Sequence, residues 1–300
     1  MRTLIYCVAL ILVPTFSLLA DEKKPWNVRD HIPLEEFLVQ AHRGAGVGAP
    51  ENTMEAFEIG WGFGATPEAD LFTTKDGVIV AFHDENFARV LPNAPDELKS
   101  KGIRDFTFEE LRQFDVGSWR GEQFAGQRIP SLAEIVEVLK ANPKRKFYID
   151  IKRVNFEQLA EETREVHPQL ILASTNYVEI ERWKRLAPDS YTLHWLGGTQ
   201  DRLTERLAAL KANQFRGIDQ LQIHVRFDGD GVLAPSEDFL RQTGDMLREH
   251  NILFQVLSWN RASDPNTYRR LMDLGVASFA TGYPGVVMRA VKEYYAEQQR

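Results

Sequence analysis

The chain has 300 residues, of which 43% are hydrophobic and 26% are charged, so it is long enough to bury a large core. Its formal net charge is −7, and it has no run of basic residues. This composition excludes nucleic acid as an expected partner, and it indicates neither an obligate protein partner nor an oligomeric state.

The first 20 residues differ from the rest of the chain in composition. Arg2 precedes a strongly apolar run over residues 4–13, and the segment ends directly before charged residues. This order is typical of a secretory signal peptide, and an uncleaved membrane anchor is the alternative. The single cysteine, Cys7, lies in the apolar run, so the mature chain would have no disulfide. We therefore predict export to the periplasm or the cell exterior.

From residue 21 onward, short β-branched or aliphatic runs alternate with longer segments of helical periodicity. Strands are predicted at 37–42, 78–83, 146–151, 169–173, 191–196, 221–225 and 252–258, with one more in the extended run around Glu68 and Asp70. A tight turn at 75–77 follows that extended run. Repeated strand–helix units predict a parallel sheet, and eight of them close into a (β/α)8 TIM-type barrel. We predict a single barrel domain over 21–300.

The helical segments carry clear end signals. Helices are predicted over 51–63, with Asn52 or Thr53 as the N-cap, over 130–141, and over 266–276 with Gly275 as terminator.

A doubly wound open sheet is the rival architecture, because residues 42–50 are rich in glycine. However, Pro50 stands where the helix of a dinucleotide-binding turn should already run, so this motif argues against a dinucleotide. The least regular segment, 92–126, has only a short helix signal at 107–114. We predict a large loop or small insertion there, on one end of the barrel.

Ionisable side chains fall at the predicted strand ends in the first half of the chain. His42 and His83 each end a strand, while Glu68 with Asp70, and Asp150 with Lys152, share a strand face. In a parallel barrel the carboxyl ends of the strands carry the active site. Three carboxylates in one place repel one another unless a cation holds them, and oxygen ligands suit Mg²⁺ or Ca²⁺. Two histidines beside such a site suit general acid and base roles.

A structural role is the alternative for each of these residues taken singly. An acid pair on a strand is usually a solvated face, and a histidine at a strand end is usually a hydrogen-bonded structural residue. We expect such structural roles for four further histidines: His167, His194, His224 and His250. Of these, His194 and His224 lie in predicted strands and could line a pocket. The case for a site rests on the joint arrangement.

Seven short motifs occur together and in one order. They are HRG (42–44), PENTMEAF (50–57), GATPEADLFTTKDG (64–77), VAFHD (80–84), DVGSW (115–119), IPSLAEIVEVL (129–139) and IDIK (149–152). In this set the chain resembles the glycerophosphodiester phosphodiesterase family, over roughly half of the mature chain. The resemblance implies a phosphodiesterase barrel with one divalent cation, acting on a small or lipid-derived phosphodiester.

The resemblance also implies a role for each site residue. His42 and His83 would be the acid and base, Arg43 and Lys152 would contact phosphate, and three carboxylates would hold the metal: Glu68, Asp70 and Asp150.

Several positions depart from the family pattern. Pro67 replaces an aliphatic residue, Asp150 replaces a glutamate, and Gly282 replaces an acid, while residues 257–260 also differ. The chemical half of the chain is nearly intact and the carboxyl-terminal half has changed, which affects substrate choice more than reaction type.

Two alternative functions stay open. One is a phospholipase D-like enzyme that acts on choline lipids on the same barrel, for which a loop around Trp119 and Phe124 is a weak indication. The other is a binding protein that keeps the barrel without turnover, against which the intact histidine pair argues.

Overall fold

The structure, a computed structural model, describes residues 26–297. Ten strands lie in this range: β1 (Val39–Ala41), β2 (Thr66–Thr73), β3 (Ile79–Ala81), β4 (Phe147–Arg153), β5 (Leu170–Ser174), β6 (Tyr191–Leu196), β7 (Gln220–Phe227), β8 (Leu233–Ala234), β9 (Leu253–Ser258) and β10 (Ser278–Thr281).

Eight of these strands form a closed parallel barrel. The neighbours run β1-β10-β9-β7-β6-β5-β4-β2, and β2 pairs with β1 to complete the ring. Helices cover the outside, and the apolar cluster between helices and strands contains most of the buried side chains. The predicted (β/α)8 barrel is therefore confirmed, and its carboxyl ends define one face of the molecule.

One predicted strand does not belong to the barrel. The segment 78–83 forms β3, which pairs antiparallel with the outer part of β2, Leu71 facing Ala81 and Thr73 facing Ile79. The turn between them is too short for a parallel connection, which needs a crossover of about a dozen residues. The eighth barrel strand is instead β10, whose four residues were too few for a strand to be predicted there.

Ten α-helices lie among the described residues: α1 (Met54–Gly62), α2 (Asp96–Lys99), α3 (Phe108–Leu111), α4 (Leu132–Ala141), α5 (Phe156–Glu162), α6 (Tyr177–Leu186), α7 (Gln200–Ala212), α8 (Glu237–Glu249), α9 (Pro265–Asp273) and α10 (Pro284–Ala296). The three predicted helices correspond to α1, α4 and α9. Thr53 caps α1, because its hydroxyl accepts a hydrogen bond from the Ala56 amide at 3.2 Å. Gly275 follows the end of α9 at φ +88°, a conformation that glycine adopts without strain.

Between β3 and α4 the chain forms only short helices, and these pack around a second apolar cluster. Phe82 and Phe87 belong to this cluster, so they fix the chain on both sides of His83. Ring contacts such as Phe87 with Phe114, whose centroids lie 5.3 Å apart, add edge-to-face packing. The position of His83 therefore depends on this cluster as well as on the barrel.

No helix within residues 26–297 combines the length and the apolar composition that a membrane span requires. The predicted signal peptide, residues 1–20, and Cys7 lie outside the described part of the chain. Export therefore stays a prediction.

Candidate active site

A cavity of about 230 Å³ opens at the carboxyl ends of the barrel strands. It is lined by all seven side chains that the sequence singled out: His42, Arg43, Glu68, Asp70, His83, Asp150 and Lys152. The structure therefore brings together groups that are up to 110 positions apart in the chain.

His83 reaches this cavity by a different route from the one predicted. It follows β3, which runs back toward the barrel, rather than ending a barrel strand. The amide of Phe82 donates a hydrogen bond to the carbonyl of Asp70 at 2.8 Å, which seats the next residue, His83, beside the carboxylates. The β2–β3 hairpin thus supplies acids on its outgoing strand and an imidazole at the end of its return strand.

Three carboxylates form the floor of the site. Glu68 and Asp70 are only 2% and 1% exposed, and Asp70 lies directly opposite Asp150 in the pairing of β2 with β4. One oxygen from each of the three lies within 4.8 Å of the others. This spacing and the oxygen-only donor set fit a hard divalent cation.

The three carboxylates of this cluster outnumber the two cationic side chains beside them, Lys152 and Arg43. Lys152 Nζ lies 3.0 Å from Asp70 Oδ1 and 2.9 Å from Asp150 Oδ2. Burial lowers the pKa of Lys152, but the two aspartates more than offset this and raise it. Burial, and then repulsion from Asp70 and Asp150, still raises the pKa of Glu68 well above its usual range. A divalent cation would relieve this repulsion, so the residues present fit the metal that the resemblance implies.

A second group of acidic residues beside His83 is neutralised by an arginine side chain. Arg89 lies 2.6 Å from Glu51 and 2.8 Å from Asp84. Asp84 Oδ1 in turn accepts a hydrogen bond from His83 Nδ1 at 2.6 Å. This contact leaves His83 Nε2 available to the cavity, because only one ring nitrogen is engaged. The network positions His83 and was not identified from the sequence.

Arg43 occupies the left-handed region of backbone space, at φ +54°. Its amide donates to Glu68 Oε2 at 2.7 Å, and its Nη1 donates to Glu51 at 3.0 Å. Its buried Nε lies 3.7 Å from Asp70 and makes no hydrogen bond to any of residues 26–297. A buried donor without a partner is costly, so this nitrogen suits a bound phosphate oxygen.

Asn52 supports Asp70 and was missed in that role. The sequence offered it as a helix cap, but Thr53 is the cap, and Asn52 turns inward at φ +54°. Its Nδ2 donates to Asp70 Oδ2 at 2.9 Å, and its Oδ1 accepts from the Asp70 amide at 3.0 Å. Asparagine tolerates positive φ better than most residues, which is the one signal that the sequence carried.

His42 directly follows β1 and is half-buried. Burial, and secondarily the charge of Arg43, lowers its pKa to about 4. The ring is therefore neutral at neutral pH and able to accept a proton. Its amide donates to the carbonyl of Thr281 at 3.0 Å, so the last barrel strand fixes its backbone.

The far wall of the cavity comes from the second half of the chain. His224 stacks on Trp195, with centroids 5.0 Å apart and an interplanar angle of 8°, and meets Trp259 edge-on at 5.3 Å. His194 does not line the cavity, because it is buried and bonded to the carbonyl of Ser174. The other two histidines that were expected to be structural are bonded to backbone carbonyls: His167 and His250.

Trp119 and Phe124 do not project from the surface as a lipid-facing loop would require. Both are half-buried, and Trp119 Nε1 donates to the carbonyl of Val116 at 2.9 Å. Phe124 packs against the small apolar cluster around Ala45 and Ala56. The weak indication of a lipid-binding loop is therefore not supported by the packing.

Gly282, which replaces an acid, stands next to a cavity that contains three arginines: Arg43, Arg89 and Arg120. A Cβ added at Gly282 would meet nothing within 4 Å, so the position has room for a side chain. Crowding does not account for the loss of the acid, and Glu51, which pairs with Arg43 and Arg89, is the one carboxylate among the described residues that line this cavity.

Comparisons with known proteins point to one family. A sequence model of the glycerophosphoryl diester phosphodiesterase family matches residues 42–286. The chain is 34% identical over 170 residues to the glycerophosphodiester phosphodiesterase of Caldanaerobacter subterraneus subsp. tengcongensis, a match that covers 50% of this chain and 63% of that relative. It is also 34% identical over 261 residues to YhdW of Bacillus subtilis, covering 83% and 96% of the two chains.

A solved structure agrees in fold. A phosphodiesterase of Oleispira antarctica, in complex with the product sn-glycerol-3-phosphate, superposes with a TM-score of 0.62 at 25% identity, covering 85% of this chain and 96% of that one.

Proposed function

The chain belongs to the glycerophosphoryl diester phosphodiesterase family, whose members are phosphodiester hydrolases, and from this premise we propose an exported, metal-dependent enzyme that cleaves glycerophosphodiesters to glycerol phosphate and an alcohol. One observation carries the proposal. Three imidazoles, among them His42 and His83, converge with three carboxylates and two cationic side chains on one cavity at the catalytic face of the barrel. A barrel retained only for binding would not need this combination.

A bound metal fits the carboxylate cluster. Glu68, Asp70 and Asp150 would hold it, and Mg²⁺ or Ca²⁺ would suit their oxygens. When bound, it would neutralise charge on the phosphoryl oxygens.

Protein groups account for binding and proton transfer. Arg43 and Lys152 bind and orient the phosphate, since both are cationic and line the cavity. His42, whose pKa is lowered to about 4 mainly by desolvation, accepts the proton of a neighbouring substrate hydroxyl as this attacks phosphorus. His83, held by Asp84, supplies a proton to the leaving alcohol. Water then opens the cyclic phosphate with the two histidine roles reversed.

A substrate panel tests the activity. We expect the purified mature protein to hydrolyse a water-soluble glycerophosphodiester faster than an intact choline lipid, because the cavity is small and the adjacent aromatics pack inward. Hydrolysis of the lipid alone would favour the phospholipase D-like alternative, and binding without turnover would favour the binding protein.

The apolar segment at residues 4–13, which follows the basic residue Arg2, supports export. Mass spectrometry of the protein recovered from outside the cytoplasm should find a chain shortened by about 20 residues. Recovery of the full-length chain from the cytoplasm would contradict export.

Asp150 offers a sharper test of the metal site. Its carboxylate is shorter than the usual glutamate by one methylene, about 1.5 Å. However, it faces Asp70 directly across neighbouring strands, which brings it close enough to contribute. We expect Asp150→Asn to weaken metal binding and to lower turnover at least tenfold, the scale of losing a charged ligand, whereas Asp150→Glu should keep substantial activity.

The alternative is that Asp150 serves only as the partner of Lys152, to which it is hydrogen-bonded at 2.9 Å. Calorimetric titration of metal into both variants separates the two roles. If Asp150→Asn binds metal and turns over like the parent, Asp150 is a structural partner and the ion is held without it.

A further inference from the structure

A larger cavity, of about 790 Å³, opens beside the carboxylate site. We call it the outer cavity; it is lined by residues 197–200, His224, Arg226, residues 233–236 and Trp259. His224 and Trp259 also line the carboxylate site, so the two spaces meet at these rings. A phosphodiester bound at the carboxylates could therefore extend one of its two alcohol substituents into the outer cavity.

The outer cavity is electropositive. Among residues 26–297, Arg226 is the only charged side chain in its lining. The nearest carboxylates along the chain, Asp201 and Glu237, lie on the first turns of α7 and α8 and do not line it, and Glu237 is paired with Arg270 at 2.6 Å. A cationic headgroup in this cavity would have no carboxylate to pair with and would be repelled by the guanidinium of Arg226.

Aromatic faces that could bind a quaternary ammonium are partly occupied. His224 covers one face of Trp195, and the guanidinium carbon of Arg226 lies 5.8 Å over the ring of Trp259. Trp259 remains 50% exposed, so its indole still offers a flat apolar surface. Such a surface suits the C–H face of a polyol, which brings no charge to compete with Arg226.

Groups that recognise hydroxyls face the outer cavity. The amide nitrogen of Gln222 donates to the side-chain oxygens of two other glutamines, so its Oε1 is the atom that faces His224. His224 Nε2 therefore donates to Gln222 Oε1 at 2.9 Å, and in the neutral ring this leaves Nδ1 as a hydrogen-bond acceptor. The hydroxyl oxygens of Thr199 and Ser236 accept the backbone N–H groups that they cap, so their own protons are free to be donated.

We propose that the outer cavity is the subsite for the alcohol substituent of the phosphodiester, and that it selects a hydroxyl-rich headgroup without positive charge, of the glycerol or inositol type. This inference rests on the proposed function and adds its substrate class. Arg226 is the specificity-determining residue, and Trp259 supplies the stacking surface.

A comparison of two substrates tests the subsite. We expect the parent to have a higher kcat/KM for glycerophosphoinositol than for glycerophosphocholine. Reversing the charge with Arg226→Glu should shift this ratio toward the choline substrate by roughly tenfold, the effect of about one favourable charge contact near a surface. Arg216→Gln is the matched control, because this exposed arginine lines neither cavity and should leave the ratio unchanged.

Binding without turnover gives an independent readout. With metal present and turnover blocked by His42→Ala, titration of each diester into this form of the parent, followed by tryptophan fluorescence, should show tighter binding of the inositol compound, and adding Arg226→Glu should reverse the order. If neither diester is hydrolysed, the proposed function fails and the binding titration still decides the subsite. Equal or better binding of the choline diester by the parent, or a ratio unaffected by Arg226→Glu, would overturn the inference.

Discussion

Hydrolysis is expected to stop when divalent cations are removed by a chelator and to resume when Mg²⁺ or Ca²⁺ is added. The reason is electrostatic: one oxygen from each of three carboxylates lies within 4.8 Å of the others, and Lys152 and Arg43 offset only part of their charge. An anionic phosphate cannot approach such a cluster until a cation neutralises it. Full activity in chelator, with metal content confirmed as negligible, would contradict this account of the site.

Thermal unfolding provides a second readout for the same ion. A ligand held only by the folded state raises the free energy of unfolding, by about 2.7 kcal/mol at a concentration 100 times its Kd. We expect added metal to raise the Tm of the parent but not that of Asp70→Asn. Asp245→Asn is the control, since this exposed aspartate pairs only with Arg248 and should keep the full shift. An equal rise for Asp70→Asn would place the ion elsewhere.

Replacing His42 or His83 with alanine should lower turnover by about 10²- to 10⁴-fold, the usual contribution of a positioned general acid or base. Both imidazoles line the cavity, His42 as a half-buried ring with a lowered pKa and His83 held at 2.6 Å by Asp84. Single-turnover rates with a soluble diester measure the loss at the chemical step.

His31→Ala serves as the control for the histidine variants. This exposed ring stacks on Trp26 at the opposite end of the barrel, so its loss should not change the rate. Circular dichroism should show all three variants folded. A folded His42→Ala or His83→Ala protein with a near-normal rate would remove that residue from the mechanism.

Much of the first half of the site was accessible from sequence, because strand periodicity determines which side chains share a face and where a strand ends. Glu68 and Asp70 illustrate this: their spacing of two places both on one face of β2, and the structure puts them there. The predicted position of His83 at the end of a barrel strand was wrong, because residues 78–83 were assigned to the parallel sheet. The short turn at 75–77 already required an antiparallel hairpin.

The remaining parts depend on contacts between distant segments, which periodicity does not report. Asn52 acts on Asp70 only because the turn before α1 lies over β2. The stacked rings of His224 and Trp195 lie on two neighbouring strands, and they form a wall of the cavity only once the barrel has closed. β10 was missed because four residues give too few repeats for a period to be recognised.

The hydrogen bond from the amide of His42 to the carbonyl of Thr281 determines when the protein can become active. Every side chain assigned to the metal, the phosphate or proton transfer lies before residue 153, and is therefore made before β10. Yet β1, which His42 directly follows, pairs with both β2 and β10, and β10 is made later than all of these side chains. Until β10 has been made and paired with β1, the chain holds these chemical groups but not the strand that fixes the backbone of His42, so we expect hydrolysis to begin only after this pairing forms.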